Sequence, residues 1–224
     1  MADRPIIFSA PMVRALLDGR KTQTRRIIKP QPMASGYYDG DLRMEQIYRP
    51  DSQDSDSYVR FSADAVGGGA IVEETIKLPY AHGDRLYVRE AHKLIDQHCD
   101  YRADWPEANQ HRFRWRPSIH MPRSASRLTL TVTDVRVQRL QEIGEADAVA
   151  EGIEPYAGLD PDCHGFINYQ TKSEDGYWLS ATDSFRTLWA NLHGPDAWGA
   201  NPWVVALTFT VQHGNIDQME AGHG

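Results

Sequence analysis

The run from Asp18 to Arg26 (DGRKTQTRR) places a lysine, two threonines and three arginines within nine residues. A threonine hydroxyl becomes a nucleophile when a base takes its proton, and a desolvated lysine near another cation can act as that base. Guanidinium groups beside such a pair can bind an anion or a developing negative charge. The run therefore predicts a ligand site, because few purely structural needs explain this density of chemically capable side chains.

The elements around the run are predicted to form a corner. Pro5 to Phe8 is typical of a strand, and a helix is predicted to begin after Ser9 as its N-cap, with Pro11 in its first turn. Gly19 is predicted to end the helix, and Arg20 to Ile28 to continue as an extended strand. Side chains at such a helix-to-strand corner can converge on a ligand.

The composition is that of an ordinary globular chain. With 224 residues, of which 41% are hydrophobic, it can bury one good core or, less readily, two small ones. No apolar run approaches the roughly 20 residues that cross a bilayer, and the first residues lack the pattern of a signal peptide. We therefore expect a cytoplasmic protein with no membrane partner. Cys99 and Cys163 are expected to be free thiols.

The net charge of −7 is distributed unevenly. Residues 1–30 carry seven lysines and arginines against two carboxylates, and residues 112–127 carry five arginines and no acid. Two basic segments in an acidic chain indicate a localised anion site, such as a nucleotide pocket or a groove for a short strand. The alternative is that these arginines pair with the surplus carboxylates.

Alternating or helical hydrophobic patterns predict the other elements. Strands are predicted over 84–90, 127–137 and 203–211, and helices over 144–151 and 183–192. Strands outnumber helices and do not follow a βαβ spacing. The predicted class is therefore α+β, a small mixed β-barrel with short helices at the rim.

One domain is predicted over residues 1–213, elaborated by loop insertions, with a flexible tail over 214–224. Three polar, turn-rich segments are interpreted as the insertions: 31–79, 93–112 and 155–178. Within the first of them, Ser57 to Ala63 and Ala70 to Leu78 have the pattern of a pair of strands.

Several segments together resemble the ASCH domain, a PUA-like family. They are the corner Gly19 to Arg26 (GRKTQTRR), the strand Gly83 to Glu90 (GDRLYVRE) and the helix Glu145 to Ile153 (EADAVAEGI). The segments Trp115 to Pro122 (WRPSIHMP) and Asn201 to Trp203 (NPW) further resemble the long ASCH proteins of bacteriophages and prophages. The resemblance implies a PUA-like small barrel.

The resemblance also implies an activity. Small bacterial ASCH proteins include amidohydrolases that remove the acetyl group from N4-acetylcytidine, and others are linked to RNA binding or cleavage. The amidohydrolase pattern of a lysine, the second threonine of the run and a glutamate falls here on Lys21, Thr24 and Glu151. In that interpretation Lys21 acts as the base, Thr24 as the nucleophile, and Glu151 orients the lysine or passes a proton to the leaving amine.

The residues leave alternatives open for these three positions. In a regular strand Lys21 and Thr24 lie on opposite faces, so they converge only if the backbone bends at the corner. Lys21 and Thr24 would otherwise be a solvated strand edge. Glu151 would otherwise be an exposed residue near a helix C-terminus, where a carboxylate is disfavoured by roughly 0.3–1 kcal/mol.

A second group of residues is predicted to bind the substrate or a nucleic acid. It comprises Arg20, Arg25, Arg26, Glu90, Arg114, Trp115, Arg116, Ser118 and His120. Glu90 lies on the apolar side of its strand and is predicted either to pair with Arg89 or Arg127 or to belong to the site. Trp115, like Trp189 and Trp203, either stacks on a base or packs in the core. His120 either contacts a phosphate or base or forms a backbone bond in a turn.

Three functions therefore stay open. The first is hydrolysis of a modified nucleoside, the second is non-catalytic binding of single-stranded RNA or DNA, and the third is a phage interaction protein with a decayed site. No cofactor and no metal are predicted. The dipeptides His98-Cys99 and Cys163-His164 lack the ligand spacing of ordinary zinc sites, and no glycine-rich phosphate loop follows a strand.

Overall fold

The computed structural model describes residues 2–32, 42–48, 56–64, 71–96, 98–156, 165–171 and 176–219. These residues form a strand-rich α+β protein with few helices. The helices are α1 (Ala10–Leu17), α2 (Glu107–Gln110), α3 (Glu145–Ala150) and α4 (Ala181–His193). The strands are β1 (Asp3–Ile7), β2 (Gln23–Ile27), β3 (Arg43–Tyr48), β4 (Ser57–Asp64), β5 (Ile71–Leu78), β6 (Arg85–Arg89), β7 (His92–Ile95), β8 (His98–Tyr101), β9 (Leu128–Arg139), β10 (Phe166–Ile167), β11 (Tyr177–Trp178) and β12 (Trp203–His213).

The chain divides into two compact units. Unit 1 comprises Met1–Thr22, Gly83–Thr133 and Thr208–Gly224, and unit 2 comprises Gln23–His82 and Asp134–Leu207. Strands β9 and β12 are each divided, with one part in unit 1 and the other part in unit 2.

Unit 1 is built on a sheet whose strand order is β1-β6-β9-β12. β1 runs parallel to β6, whereas β6 pairs antiparallel with β9. The apolar side chains of β6 and β9 alternate as the sequence predicts, so that Leu86, Val88, Leu128 and Leu130 are buried. Thr129 alternates with these leucines on β9, and it is also fully buried and donates to the carbonyl of Gly214.

Helix α1 begins after the N-cap Ser9, with Pro11 in its first turn, as predicted. Its apolar residues Val13 and Leu16 are buried. Gly19 follows with a positive φ of 72°, a conformation that glycine adopts without steric penalty, and this residue ends the helix.

Unit 2 combines a core around α3 and α4 with parts of β9, β12 and the whole of β2, in the order β9-β12-β2. The core consists of Leu140, Ile143, Ala148, Ile153, Ala181, Phe185, Trp189 and Val204. Helix α4 is longer than the predicted 183–192, because its N-cap is Ser180, whose hydroxyl accepts a hydrogen bond from the Asp183 N–H.

A second sheet of unit 2 consists of β3, β4 and β5 in that order, all antiparallel. The predicted pair of strands in the first insertion is confirmed by β4 and β5. Strand β3 was not predicted. The other two predicted insertions contain short elements as well, the hairpin β7-β8 in unit 1 and the pair β10-β11 in unit 2.

The predicted closed barrel is wrong for the part of the chain that the structure describes. There β1 pairs only with β6, and β2 neighbours only β12, so each is the edge of an open sheet. Closure requires a particular pairing and stagger of the outer strands, and alternation along a single strand does not encode that pairing.

Part of the predicted C-terminal tail is packed into the fold. Within the predicted tail, Asn215 and Ile216 are buried, and the Asn215 side chain donates to the carbonyls of Arg123 and Ser126; residues 220–224 lie outside the described residues.

No helix in the described ranges has the length and apolar character to cross a bilayer.

Candidate functional site

Lys21 lies in unit 1 at the corner after α1. Its backbone N–H donates to the carbonyl of Ala15 at 3.0 Å, which ties the corner to the last turn of the helix. Its side chain is fully buried, and Nζ lies 5.6 Å from the centre of the Phe8 ring. Strand β2 starts only at Gln23, later than the predicted Arg20, so Lys21 precedes the strand. The face alternation expected for a strand therefore does not apply to Lys21.

Thr24 and Arg25 are consecutive residues of β2 in unit 2, and both are buried. The Arg25 guanidinium is completely enclosed, and its two terminal nitrogens bind different carboxylates of the α3 region. Nη2 lies 2.8 Å from Asp147 Oδ2, and Nη1 lies 3.2 Å from Glu151 Oε1. The aromatic ring of Phe185 lies 6.0 Å from the guanidinium carbon. Arg25 therefore orients two carboxylates from the interior of unit 2.

Asp147 and Glu151 meet the same arginine because they are four residues apart. Side chains at i and i+4 lie on one face of a helix, and Glu151 is the C-cap of α3. Arg136 of β9 also donates to both oxygens of Asp147, each at 3.1 Å. Burial raises the pKa of Asp147, but the hydrogen bond from Arg136 and the charge of Arg25 outweigh it and lower the pKa below its ordinary value.

The burial of the three predicted catalytic residues excludes the solvent-exposed alternatives for them. Lys21 is 0% exposed, Thr24 is 3% exposed and Glu151 is 6% exposed. A solvated strand edge at Lys21 and Thr24 and an exposed helix residue at Glu151 are therefore both wrong. Lysine and glutamate are almost never fully buried unless they are paired.

Glu90 is buried in unit 1 and pairs with Arg127, one of the partners predicted for it. Arg127 donates from Nε to Oε1 at 2.8 Å and from Nη2 to Oε2 at 3.2 Å. Burial raises the pKa of Glu90 above its ordinary value, and the arginine opposes that rise without cancelling it. Arg89 instead donates to the carbonyl of Ile119.

The basic segment 112–127 divides into two kinds of arginine. Arg123 and Arg127 bind carboxylates of unit 1, which confirms the pairing alternative for them. Arg112, Arg114 and Arg116 are exposed, and no carboxylate among the described residues lies within ion-pair distance of them. This half of the segment keeps an unneutralised positive surface.

Three aromatic side chains lie among these exposed arginines. Trp105, Phe113 and Trp115 contact one another edge to face, with ring centres 4.6 to 6.3 Å apart. The Trp115 Nε1–H donates to the carbonyl of Gln110 at 2.8 Å, and the ring is half-buried. Trp189 and Trp203 are buried, so the core alternative is confirmed for these two tryptophans.

The remaining predicted binding residues are partly exposed. Arg20 is half-buried and donates to Asp18 at 2.9 Å, and Arg26 is half-buried on β2. Ser118 and His120 are the first and last residues of a 3-10 turn in which Ser118 is half-buried and His120 is exposed.

Sequence reasoning missed Asp147, Arg136 and His92 as members of these clusters. The spacing of Asp147 and Glu151 on a predicted helix was the available signal for the first. His92 is fully buried, with Nδ1 3.2 Å from the carbonyl oxygen of Glu90, and burial lowers its pKa. No local pattern distinguishes such a histidine from an exposed one.

Of the two cysteine and histidine dipeptides, His98-Cys99 lies at the start of β8. No group of three potential ligands drawn from His, Cys, Asp and Glu is close enough to hold a metal ion among the residues described above. Cys99 forms no disulfide, and burial raises the pKa of its thiol. Cys163 and His164 lie outside the described residues.

Comparison with protein-family models matches no family, and searches of curated proteins and of solved structures find no similar protein.

Proposed function

We propose that this chain is an ASCH-type, PUA-like protein of the phage kind that recognises a nucleobase or nucleoside and hydrolyses N4-acylated cytidine. The observation that supports the proposal is the burial of Lys21, Thr24 and Glu151, the three polar residues that the resemblance selects. Burying polar and charged groups is unfavourable unless each is compensated. Burial also holds these side chains in place and keeps bulk water away from them, which suits residues that react with a bound substrate.

In the proposed reaction Thr24 Oγ1 attacks the acyl carbon of the amide. Lys21, as the neutral amine, takes the hydroxyl proton, and the carbon–nitrogen bond breaks as the proton passes to the leaving N4 atom. Water then hydrolyses the threonine ester, which releases the carboxylic acid and restores the hydroxyl. The products are cytidine and one carboxylic acid for each amide and water consumed, and no cofactor takes part.

Glu151 has a positioning role in this proposal, supported by its bond to Arg25. A carboxylate held by a buried guanidinium has a fixed direction, so it can orient the lysine or the departing amine. Arg25 binds two carboxylates at 2.8 and 3.2 Å, and this contact fits a structural role better than the phosphate contact predicted from the sequence.

Product analysis tests the proposal. The purified protein is incubated with N4-acetylcytidine and related acylated nucleosides, and cytidine is quantified by chromatography. Lys21→Met is the test variant, and Lys29→Met is its control because Lys29 is exposed. We expect turnover in the wild type and in Lys29→Met, and loss of turnover in a Lys21→Met protein that still melts cooperatively. Equal turnover in both variants would contradict the role of Lys21.

A second candidate function is sequence-tolerant binding of single-stranded RNA or DNA. The exposed Arg112, Arg114 and Arg116 beside the cluster of Trp105, Phe113 and Trp115 favour it. Proteins that bind single strands combine a positive groove for the backbone with aromatic side chains for the bases. The overall charge of −7 favours a short contact rather than a long nucleic-acid coat.

The salt dependence of binding separates the two candidates. Each phosphate contact on a single strand adds roughly −0.7 to the slope of log K against log salt, so three contacts give a slope of about −2. Replacing the three arginines by glutamine should remove that slope if they bind phosphates. Binding whose slope the substitutions leave unchanged would exclude this surface.

A further inference from the structure

Unit 2 contains an open cleft of about 720 Å³ that none of the predicted site residues lines. Cavities that hold small molecules measure roughly 300–1,000 Å³, so the size is suitable for a small ligand. One wall is a stripe of α4 formed by Asp183, Arg186, Thr187 and Ala190, in which Arg186 is exposed and Thr187 is buried. These residues follow the i, i+3, i+4, i+7 spacing of a single helix face. The cleft thus uses a different face of α4 from the one that packs into the core through Phe185 and Trp189.

The opposite wall is formed where the chain reverses after α4. Gly194 has a positive φ of 101°, which allows the reversal into a 3-10 turn over Pro195–Ala197. Trp198 follows, with its ring centre 6.4 Å from that of Phe185 and its carbonyl accepting a hydrogen bond from Gln141 at 2.8 Å. The Trp198 indole is therefore held in place at the cleft. Trp178 provides a second indole to the lining.

The charged groups of the cleft are available to a ligand. Asp183 and Asp196 contribute two carboxylates, and Arg186 contributes one guanidinium. Within the described ranges none of these three side chains forms an ion pair. The side-chain oxygens of Asp183 are not needed for the helix cap, because its bond with Ser180 uses the backbone N–H. The cleft thus combines an excess of negative charge with two aromatic rings.

We propose that this cleft binds a small organic cation with an ammonium or guanidinium group and an apolar body. Carboxylates form charge-assisted hydrogen bonds with such groups, and an indole face attracts a cation through its quadrupole. An anion would find one guanidinium against two carboxylates. This inference concerns residues distinct from Lys21, Thr24 and Glu151, so it stands or falls independently of the proposed hydrolysis.

Isothermal titration calorimetry with agmatine as the cationic probe tests the proposal, with sodium acetate as the anionic probe. Asp183→Asn and Asp196→Asn each remove one carboxylate from the cleft. Asp96→Asn is the matched control, because Asp96 is exposed in unit 1 and asparagine tolerates its positive φ of 52°. Thermal melts establish that all variants fold like the wild type.

We expect agmatine to bind the wild type and Asp96→Asn equally. Each cleft substitution should weaken binding by about tenfold, the usual effect of losing a charge-assisted hydrogen bond. Replacing Arg186 by glutamine should leave agmatine binding unchanged or strengthen it. The proposal is overturned if agmatine does not bind, if Asp96→Asn weakens binding as much as the cleft substitutions do, or if acetate binds in preference to agmatine.

Discussion

The most informative stability prediction concerns Arg25. Methionine replaces the aliphatic part of the arginine side chain but lacks the guanidinium that binds Asp147 and Glu151. Breaking a buried ion pair by removing one partner destabilises a protein by roughly 3–5 kcal/mol, because a charge is left uncompensated. The side chain of Glu151 is 5% exposed, so it carries most of this penalty.

The other carboxylate should add little to the loss. The side chain of Asp147 is 20% exposed, and it retains both hydrogen bonds from Arg136. We therefore expect Arg25→Met to lower the free energy of unfolding by about 3 kcal/mol, at the lower end of the range for buried pairs. For a chain of this size roughly 2–4 °C of Tm corresponds to each kcal/mol, so the Tm should fall by about 6–12 °C.

Urea unfolding followed by far-UV circular dichroism measures the change. Arg112→Met is the matched control, because its guanidinium is exposed and has no carboxylate partner in the described ranges, and we expect a loss below about 0.5 kcal/mol. The double variant Arg25→Met, Glu151→Gln should recover part of the loss, since it also removes the buried negative charge that Arg25 balanced. A loss below about 1 kcal/mol for Arg25→Met would refute the claim that this contact is an essential buried pair.

Two predictions concern pH. Glu145 accepts hydrogen bonds from Ser180, Ala181 and Thr182, and the Thr182 hydroxyl contributes most to lowering its pKa from 4.5 to about 2. The stability that Glu145 contributes should therefore vanish as pH falls from 4.5 to about 2. In acid titrations followed by circular dichroism Glu145→Gln should lack this loss, and an acid transition unchanged by the substitution would contradict the assignment. Burial raises the pKa of Glu90, so its contribution is present below pH 4.5 and is lost as pH rises through the raised value. Urea unfolding at pH 4.5 and pH 7 should therefore show Glu90→Gln gaining stability relative to the wild type at the higher pH, and the opposite trend would show that Arg127 dominates.

The elements with a strong local pattern could be predicted from the sequence. Strands β6, β9 and β12 and helices α1, α3 and α4 all follow the predicted periodicity, with shifts of a few residues at their ends. The start of a helix differs from the prediction where the capping residue lies before the first residue of the apolar pattern. At α4 the Ser180 hydroxyl caps the helix three residues before Asp183, where the predicted helix starts.

The pairing of distant segments could not be predicted in the same way. Strand β3 has little apolar alternation, and it forms through its pairing with β4. The open edges at β1 and β2 depend on which strands find partners, and the sequence pattern of one strand carries no such information.

In the candidate site too, local features could be predicted from the sequence, whereas contacts between distant segments could not. The corner at Lys21 could be predicted, although the strand begins later than predicted, whereas the sequence left open whether Lys21 and Thr24 are buried or solvated. The bond between Arg25 and Glu151 joins residues 126 positions apart, and nothing local in either segment specifies the partner. The stripe Asp183, Arg186, Thr187 and Ala190 of α4 likewise lines a cleft because the chain reverses at Gly194, which is not visible in the pattern of the helix itself.

The central claim, hydrolysis of N4-acylated cytidine through Thr24, is tested most directly by comparing kcat/KM for N4-acetylcytidine in Thr24→Val and Thr22→Val. Valine matches threonine in shape without the hydroxyl, and Thr22 is an exposed threonine of the same run. We predict that Thr22→Val leaves kcat/KM unchanged and that Thr24→Val lowers it by at least about a thousandfold, as loss of a nucleophile does. Equal activity of the two variants, with both proteins folded, would contradict the account.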